Sequence, residues 1–167
     1  MRQPILTLGD RQLEQPARPV EAITPATQQL IDDMIETMHA APGIGLAAPQ
    51  IGVPLRLFVI DLSVGRTPGA VGVFINPEFV ERDGMQLEEE GCLSVPGCAA
   101  TVLRPARAVV RALDRDGRAR SVEGRGLLAR AFQHEMDHLD GVLFVHRLRG
   151  LQRAVLERRV RKLEHLG

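Results

Sequence analysis

The sequence is poor in aromatic residues and in cysteine. Its 167 residues include no tryptophan, no tyrosine, five phenylalanines and two cysteines. With so few rings, a surface that stacks on single-stranded bases is a poor candidate. Two cysteines cannot build the disulfide framework of a small secreted domain. They are left for metal binding, catalysis or burial.

Long apolar runs are also missing. No stretch approaches the roughly 20 apolar residues of a membrane span, and the chain reaches Asp10 and Arg11 without a continuous apolar segment. The sequence therefore predicts no membrane association and no secretory signal, and the expected location is the cytoplasm. The length, with 44% hydrophobic and 25% charged residues, suits one domain over residues 1–167.

Neither sign of charge dominates the chain as a whole. Its 21 basic residues, all but one of them arginine, balance 21 acidic residues, which argues against a chain devoted to nucleic acid. Residues 147–167 nevertheless contain seven basic and two acidic residues, a net charge of +5. This excess of positive charge favours binding to a polyanion, although a solvated helix face is an equally good interpretation.

Three helices are predicted from local signals. Thr24 is a typical N-cap, Pro25 suits the first helical position, and apolar residues recur at helical spacing as far as Met38. A second helix is predicted from about Gly126 to Leu139. The last helix, about residues 148–166, is amphipathic beneath an arginine-rich face. Its apolar stripe comprises Leu148, Leu151, Val155, Leu156, Val160, Leu163 and Leu166.

Strand signals lie between the helices. Residues 55–60, 71–75 and 108–113 are short and rich in β-branched side chains, and the last run leads to a hairpin turn at Asp116-Gly117. Because strands and helices do not alternate regularly, the predicted fold class is α+β.

A metal-binding pattern occupies residues 133–138. His134 and His138 stand four apart, so on a helix both imidazoles face one ion, and Glu135 lies beside them as a general base. The alternative is a solvated helix that carries two histidines by chance. A catalytic ion of this type needs a third protein ligand and one open position.

Two familiar sources of the third ligand fit poorly. A metzincin would place a third histidine where this chain has Phe144, and His146 comes two residues late. A thermolysin-like site would use Glu157, but that residue lies among arginines, where an ion pair is expected.

The remaining candidate for the third ligand is Cys92, which follows Gly91. A thiolate and two imidazoles form a strong site for a borderline-soft divalent metal. A lone cysteine is more often a small core residue, which is how we interpret Cys98.

A glycine-rich segment at residues 43–50 begins like a dinucleotide-binding fingerprint. That fingerprint requires a strand before it and a helix after it. Here a helix precedes the segment, and Pro49, Gly52 and Pro54 prevent one from following. No nucleotide cofactor is expected, and a glycine turn without a ligand is the alternative.

Together the three segments resemble the peptide deformylase family. Its motifs Gly-x-Gly-Leu-Ala-Ala-x-Gln, Glu-Gly-Cys-x-Ser and Gln-His-Glu-x-Asp-His match residues 43–50, 90–94 and 133–138, in that order. The likeness extends to residues 5–20 and 108–117. It implies antiparallel sheets of short strands packed around a central metal-binding helix, with an N-terminal helix and a C-terminal amphipathic helix. It also implies a metal-dependent hydrolase that removes the formyl group from N-terminal formylmethionine of nascent polypeptides and releases formate.

The resemblance assigns roles at the site. Cys92, His134 and His138 would hold one divalent ion, usually Fe²⁺ in the family, with Ni²⁺, Co²⁺ or Zn²⁺ as replacements. Glu135 would take a proton from water and return it to the leaving amine. The remaining roles are oxyanion stabilisation by the Gln50 side chain and the Leu93 backbone N–H, and backbone hydrogen bonds to an extended substrate from Ile44, Gly45 and Gly91.

Five positions in and around the motifs need separate interpretation. Many bacterial members carry an arginine where this chain has Ala99, so contacts beyond the methionine are expected to be weaker. Arg130 is best interpreted as a surface side chain that reaches water, with the pocket rim as the alternative. The family pattern pairs Glu90 with Arg104, and Asp137 either orients a ligand imidazole or forms an ion pair.

Two other functions compete with the deformylase. A short His-Glu-x-x-His peptidase would use Glu157, and an inactive homologue would serve as a ribosome-binding module. The inactive form is disfavoured because every residue that the chemistry requires is present. Docking of residues 147–162 on the ribosome is a separate hypothesis, compatible with an active enzyme.

Overall fold

The computed structural model describes residues 1–166, and side chains as far as residue 163. Within this range the helices are α1, α2 and α3, which span Pro25–Ala40, Leu127–Leu139 and Gly150–Leu166. The strands β1 to β7 span Gly45–Ala47, Leu57–Ile60, Gly72–Asp83, Gln86–Gly91, Ala99–Arg104, Arg107–Leu113 and Ala119–Arg125.

The strands form two antiparallel sheets. One has five strands in the order β1-β2-β3-β6-β7, and the other is the pair β4-β5. Nearly the whole of α2 is buried, and its Phe132 packs against Phe74 and Phe58 of the larger sheet, with ring centroids 5.2 and 6.5 Å away. The predicted α+β fold around a central helix is therefore confirmed.

Helix α1 begins where its local signals predict. The Thr24 hydroxyl accepts a hydrogen bond from the Thr27 N–H, the Thr27 hydroxyl accepts one from the Thr24 N–H, and Pro25 is the first helical residue. The helix buries Ile31, Met34 and Met38 against β1 and β2. Its position fixes the start of the glycine-rich segment that follows.

Strand β3 is longer than predicted and runs to Asp83 instead of ending at Ile75. It passes through Asn76, whose φ is +50°, and Pro77, where the register with β6 shifts. A proline cannot donate to a ladder and is tolerated at such a bulge. The Asn76 side chain bonds both backbone groups of Val20, at 2.8 and 2.9 Å, which stabilises the irregular backbone.

Helix α3 buries less of its apolar stripe than predicted. Leu156 is buried and Val160 packs beside it, but Leu151 and Val155 are 80% and 54% exposed. Leu148 is buried in a turn that precedes the helix and is not part of α3. The prediction of one apolar stripe that begins at Leu148 is therefore wrong. The side chain of Leu166 lies outside the described part of the chain. No helix in residues 1–166 is long and apolar enough to cross a membrane.

Candidate metal centre

The three predicted ligands meet between α2 and the end of β4. Cys92 directly follows β4, and His134 and His138 stand one turn apart on α2. The Cys92 Sγ lies 3.3 Å from the His138 Nε2, which lies 3.3 Å from the His134 Nε2. All three ligand atoms lie within 4.8 Å of one another. One thiolate and two imidazoles so arranged fit a divalent ion with one coordination position left open.

A buried carboxylate orients the first histidine. The His134 Nδ1 lies 2.6 Å from Glu90 Oε2, which fixes the tautomer and leaves Nε2 facing the site. Arg104 binds the same carboxylate at 2.9 and 2.6 Å, as the family pattern indicates. Burial opposes ionisation of Glu90, yet hydrogen bonds from Arg104 and His134 hold its pKa well below the usual value. This carboxylate is the acceptor that sequence reasoning did not connect to His134.

Arg130 is not the surface residue that was predicted. Only 4% of it is exposed, and its guanidinium donates to Glu90 and to the Val102 carbonyl. The β4-β5 pair covers this face of α2, a long-range contact that helical periodicity cannot indicate. The ion-pair interpretation of Asp137 is confirmed, because its carboxylate accepts from Arg104 and Arg147.

Glu135 lies beside the ligands with its carboxylate enclosed. Its Oε1 is buried and has no partner among the described residues. Burial raises the pKa of Glu135 to about 7, although the charge of His134 acts to lower it. A Cβ atom on Gly45 would lie 2.6 Å from Glu135 Oε2, so the glycine makes room for this side chain. The enclosed carboxylate is therefore a candidate acid–base group.

The Gln50 amide is held in one orientation. Its Oε1 accepts from the Ala47 N–H at 2.9 Å, so its Nε2 faces Ser94 Oγ at 3.1 Å and Cys92 Sγ at 3.8 Å. Ser94 is fully buried, and its N–H lies 3.4 Å from Cys92 Sγ. Ser94 thus supports both neighbours, a role that was not predicted although the residue belongs to the cysteine motif.

A cavity of about 590 Å³ opens beside these groups. The Ile44 carbonyl on its wall accepts from the Asp61 N–H at 2.8 Å, so this oxygen is engaged in the fold. Because alternate residues of an antiparallel strand face opposite edges, the Gly45 backbone groups point toward the edge away from β2. The lining includes the predicted substrate residues Ile44, Gly45 and Gly91, and also Leu93, Leu127 and Arg130.

Glu157 does not belong to this site. It lies on α3 and accepts from Arg153 Nε at 2.9 Å, four residues away. The expected ion pair is confirmed, and the thermolysin-like ligand set is not formed. Cys92 is therefore the third donor of the candidate site in the described structure. Cys98 is 6% exposed in an apolar cluster, as a structural cysteine should be.

Comparison with known proteins agrees with this geometry. Residues 2–154 match the model of the polypeptide deformylase family. The chain belongs to this family. A peptide deformylase of Acidobacterium capsulatum is 50% identical over 167 residues, which cover 100% of this chain and 98% of that protein.

Solved deformylase structures have the same fold. The enzyme of Legionella pneumophila superposes with a TM-score of 0.94 at 46% identity, covering 99% of this chain and 97% of that one. The Synechococcus elongatus deformylase, in complex with actinonin, gives 0.91 at 42% identity, covering 97% and 88%. The chain is thus a metal-dependent hydrolase that removes the formyl group from N-terminal formylmethionine. The predicted deformylase is confirmed over the peptidase and the inactive homologue.

Proposed function

We propose that Cys92, His134 and His138 hold one divalent ion, with Fe²⁺ as the resident metal and Ni²⁺, Co²⁺ or Zn²⁺ as replacements. The observation that carries this proposal is the convergence of three donor atoms within 4.8 Å, next to the partnerless Glu135 Oε1. A site of one thiolate and two imidazoles can bind any of these four metals. When bound, the ion supplies Lewis acidity that polarises a carbonyl oxygen and makes water acidic near neutral pH.

The side chains around the ligands then divide the work. Glu135 Oε1 accepts a proton from water, whose oxygen attacks the formyl carbon, and Glu135 returns the proton to the nitrogen of the leaving amine. The Gln50 Nε2–H and the Leu93 backbone N–H donate to the oxygen on which negative charge develops. Formate and a free amino terminus are the products.

The nascent chain is proposed to bind as an extended strand. Gly45 on the free edge of β1 and Gly91 at the end of β4 supply backbone hydrogen bonds. Ile44 was predicted to supply one as well, but its carbonyl already accepts from the Asp61 N–H, so we assign it to the apolar wall. Ala99 is exposed opposite Gly91 in the β4-β5 pair, and its methyl group offers no charge to residues beyond the methionine. Selectivity for those residues is accordingly expected to be weak.

The proposed roles are tested by formate release. Protein purified without oxygen and loaded with Fe²⁺ is given an N-formyl-methionyl tripeptide and its N-acetyl analogue. We expect release from the formyl peptide alone, and a loss of about 10²- to 10⁴-fold in Glu135→Gln with metal content unchanged. Equal rates in the variant would reject Glu135 as the proton carrier.

We further propose that the enzyme works in the cytoplasm as one domain and docks on the ribosome through α3. Arg158, Arg159, Arg161 and Lys162 are all exposed on α3, and the substrates emerge from a polyanionic particle. Replacing Arg158, Arg159 and Lys162 by glutamine should weaken co-sedimentation and flatten its salt dependence by about one unit per lost contact. Unchanged binding would reject the docking.

A further inference from the structure

We infer that Arg130 is a positioning residue for His134 and acts through Glu90. The inference deepens the proposed function, because it rests on His134 being a metal ligand. It assigns a purpose to a buried arginine that stands on the catalytic helix, contacts no ligand atom and takes no part in the proton transfers described above.

Three nitrogens of Arg130 are engaged, all by the β4-β5 pair. Nη1 donates to Glu90 Oε1 at 2.8 Å, Nη2 donates to the Val102 carbonyl at 2.9 Å, and Nε donates to Gln86 Oε1 at 3.2 Å. Gln86 and Glu90 belong to β4, and Val102 belongs to β5. A single planar fork therefore ties α2 to both strands, a geometry that a point charge such as lysine cannot reproduce.

The two oxygens of Glu90 have different partners. Oε2 receives His134 and Arg104, each at 2.6 Å, whereas Oε1 receives Arg104 at 2.9 Å and Arg130 at 2.8 Å. Arg104 stands at the end of β5, on the same sheet as Glu90, and its Nη1 also donates to Asp137 of α2 at 2.7 Å, so it links the carboxylate to the C-terminal half of that helix. Arg130 stands on α2, four residues before His134, so it fixes the carboxylate relative to the helix that carries the ligand.

This division predicts what is lost without Arg130. Glu90 would retain Arg104, which is tied to α2 through Asp137, but Oε1 would lose its direct bond to the helix that carries His134. The hydrogen bond that aims the imidazole would then depend on how well the sheet and the helix stay together. Partners of this kind, one bond removed from a metal ligand, typically change metal affinity by about 10- to 100-fold when they are removed.

Arg130 also has neighbours on the cavity side. The residue lines the cavity beside Leu127 and Ala131, while its guanidinium is bound to the strands. Replacement by methionine keeps apolar wall and removes only the polar fork. The substitution should therefore leave the KM for a formyl-methionyl peptide within about twofold, which separates positioning of the ligand from damage to the pocket.

The test measures metal release from the full-length protein loaded with Co²⁺. Excess chelator is added, and loss of the cobalt–thiolate absorption reports dissociation. We expect Arg130→Met to release Co²⁺ about 10-fold faster than the wild type, and Arg130→Lys to be intermediate. Arg56→Met is the matched control, because Arg56 bonds Leu139 and Asp140 at the end of α2 and does not contact Glu90. It should release Co²⁺ at the wild-type rate.

The same measurement in a Glu90→Gln protein tests whether Arg130 influences metal release through Glu90. If Arg130 acts through Glu90, Arg130→Met should accelerate release little further in a Glu90→Gln protein. An undiminished acceleration in that background, or equal release from Arg130→Met and Arg56→Met, overturns the inference. If the methionine variant does not fold, a wild-type rate in Arg130→Lys overturns it instead. Wild-type protein that takes up no Co²⁺ rejects the proposed metal site itself.

Discussion

Placing a methyl group at Gly45 should slow catalysis much more than it harms the fold. The new Cβ would lie 2.6 Å from Glu135 Oε2 and 3.1 Å from its Cδ, where ordinary contacts begin at 3.4 Å. The carboxylate would have to retreat by about 0.8 Å. Because a shift near 1 Å in a reacting group can reduce the rate about 100-fold, Gly45→Ala should raise the activation free energy by about 2.7 kcal/mol. Assays of formate release give kcat and KM, and we expect the decrease in kcat.

A second glycine provides the matched control for this experiment. A Cβ on Gly72 would lie 2.7 Å from Phe74 Cε2, in the aromatic cluster and away from the metal centre. Overpacking costs about 1–3 kcal/mol, so both variants should lose about 2–12 °C in Tm for a domain of this size. Only Gly45→Ala should lose activity at a temperature where both are folded. A wild-type kcat in Gly45→Ala would refute the reasoning that places Glu135 against this glycine.

Two further outcomes follow from the structure. Glu157→Ala should leave the bound metal and kcat unchanged, because Glu157 pairs with Arg153 on α3 and not with a residue of the metal centre in the described structure; lost metal on elemental analysis would contradict this. The Ser63 hydroxyl, with other hydrogen bonds, lowers the pKa of Asp61 from 3.8 to about 2. The ionised Asp61 therefore stabilises the folded state above about pH 4, and this contribution is lost as the pH falls toward 2. The difference in urea midpoint between wild type and Asp61→Asn should narrow over this range. A constant difference would contradict this role of Asp61.

The parts of the fold that the sequence predicts are those with local causes. The start of α1 depends on Thr24, Pro25 and Thr27, which lie within one turn of each other. The pairing of His134 with His138 depends only on helical spacing. In both cases the interacting groups are neighbours in the chain, so pattern and outcome coincide.

The parts that were missed depend on contacts between distant segments. Arg130 is buried because β4 and β5 cover it, and the strand partners lie 28 and 40 residues away. The long course of β3 depends on Val20, which bonds Asn76 across 56 residues. Such partners leave no periodic signal near the residue concerned, and a polar residue on a predicted helix is then assigned to the surface by default.

The separation of β4-β5 from the larger sheet has a consequence for the metal-free protein. A two-stranded hairpin is marginally stable by itself, and this one is attached through the Glu90 hydrogen bonds and through an apolar cluster that includes Val102. An ion bound by Cys92 and His138 closes a loop of 46 residues, and closing it restricts the separation of hairpin and helix. On chelation, backbone amides of residues 86–104 should exchange with deuterium first, and proteases should cut there first. Metal supply would then determine the lifetime of the enzyme as well as its activity.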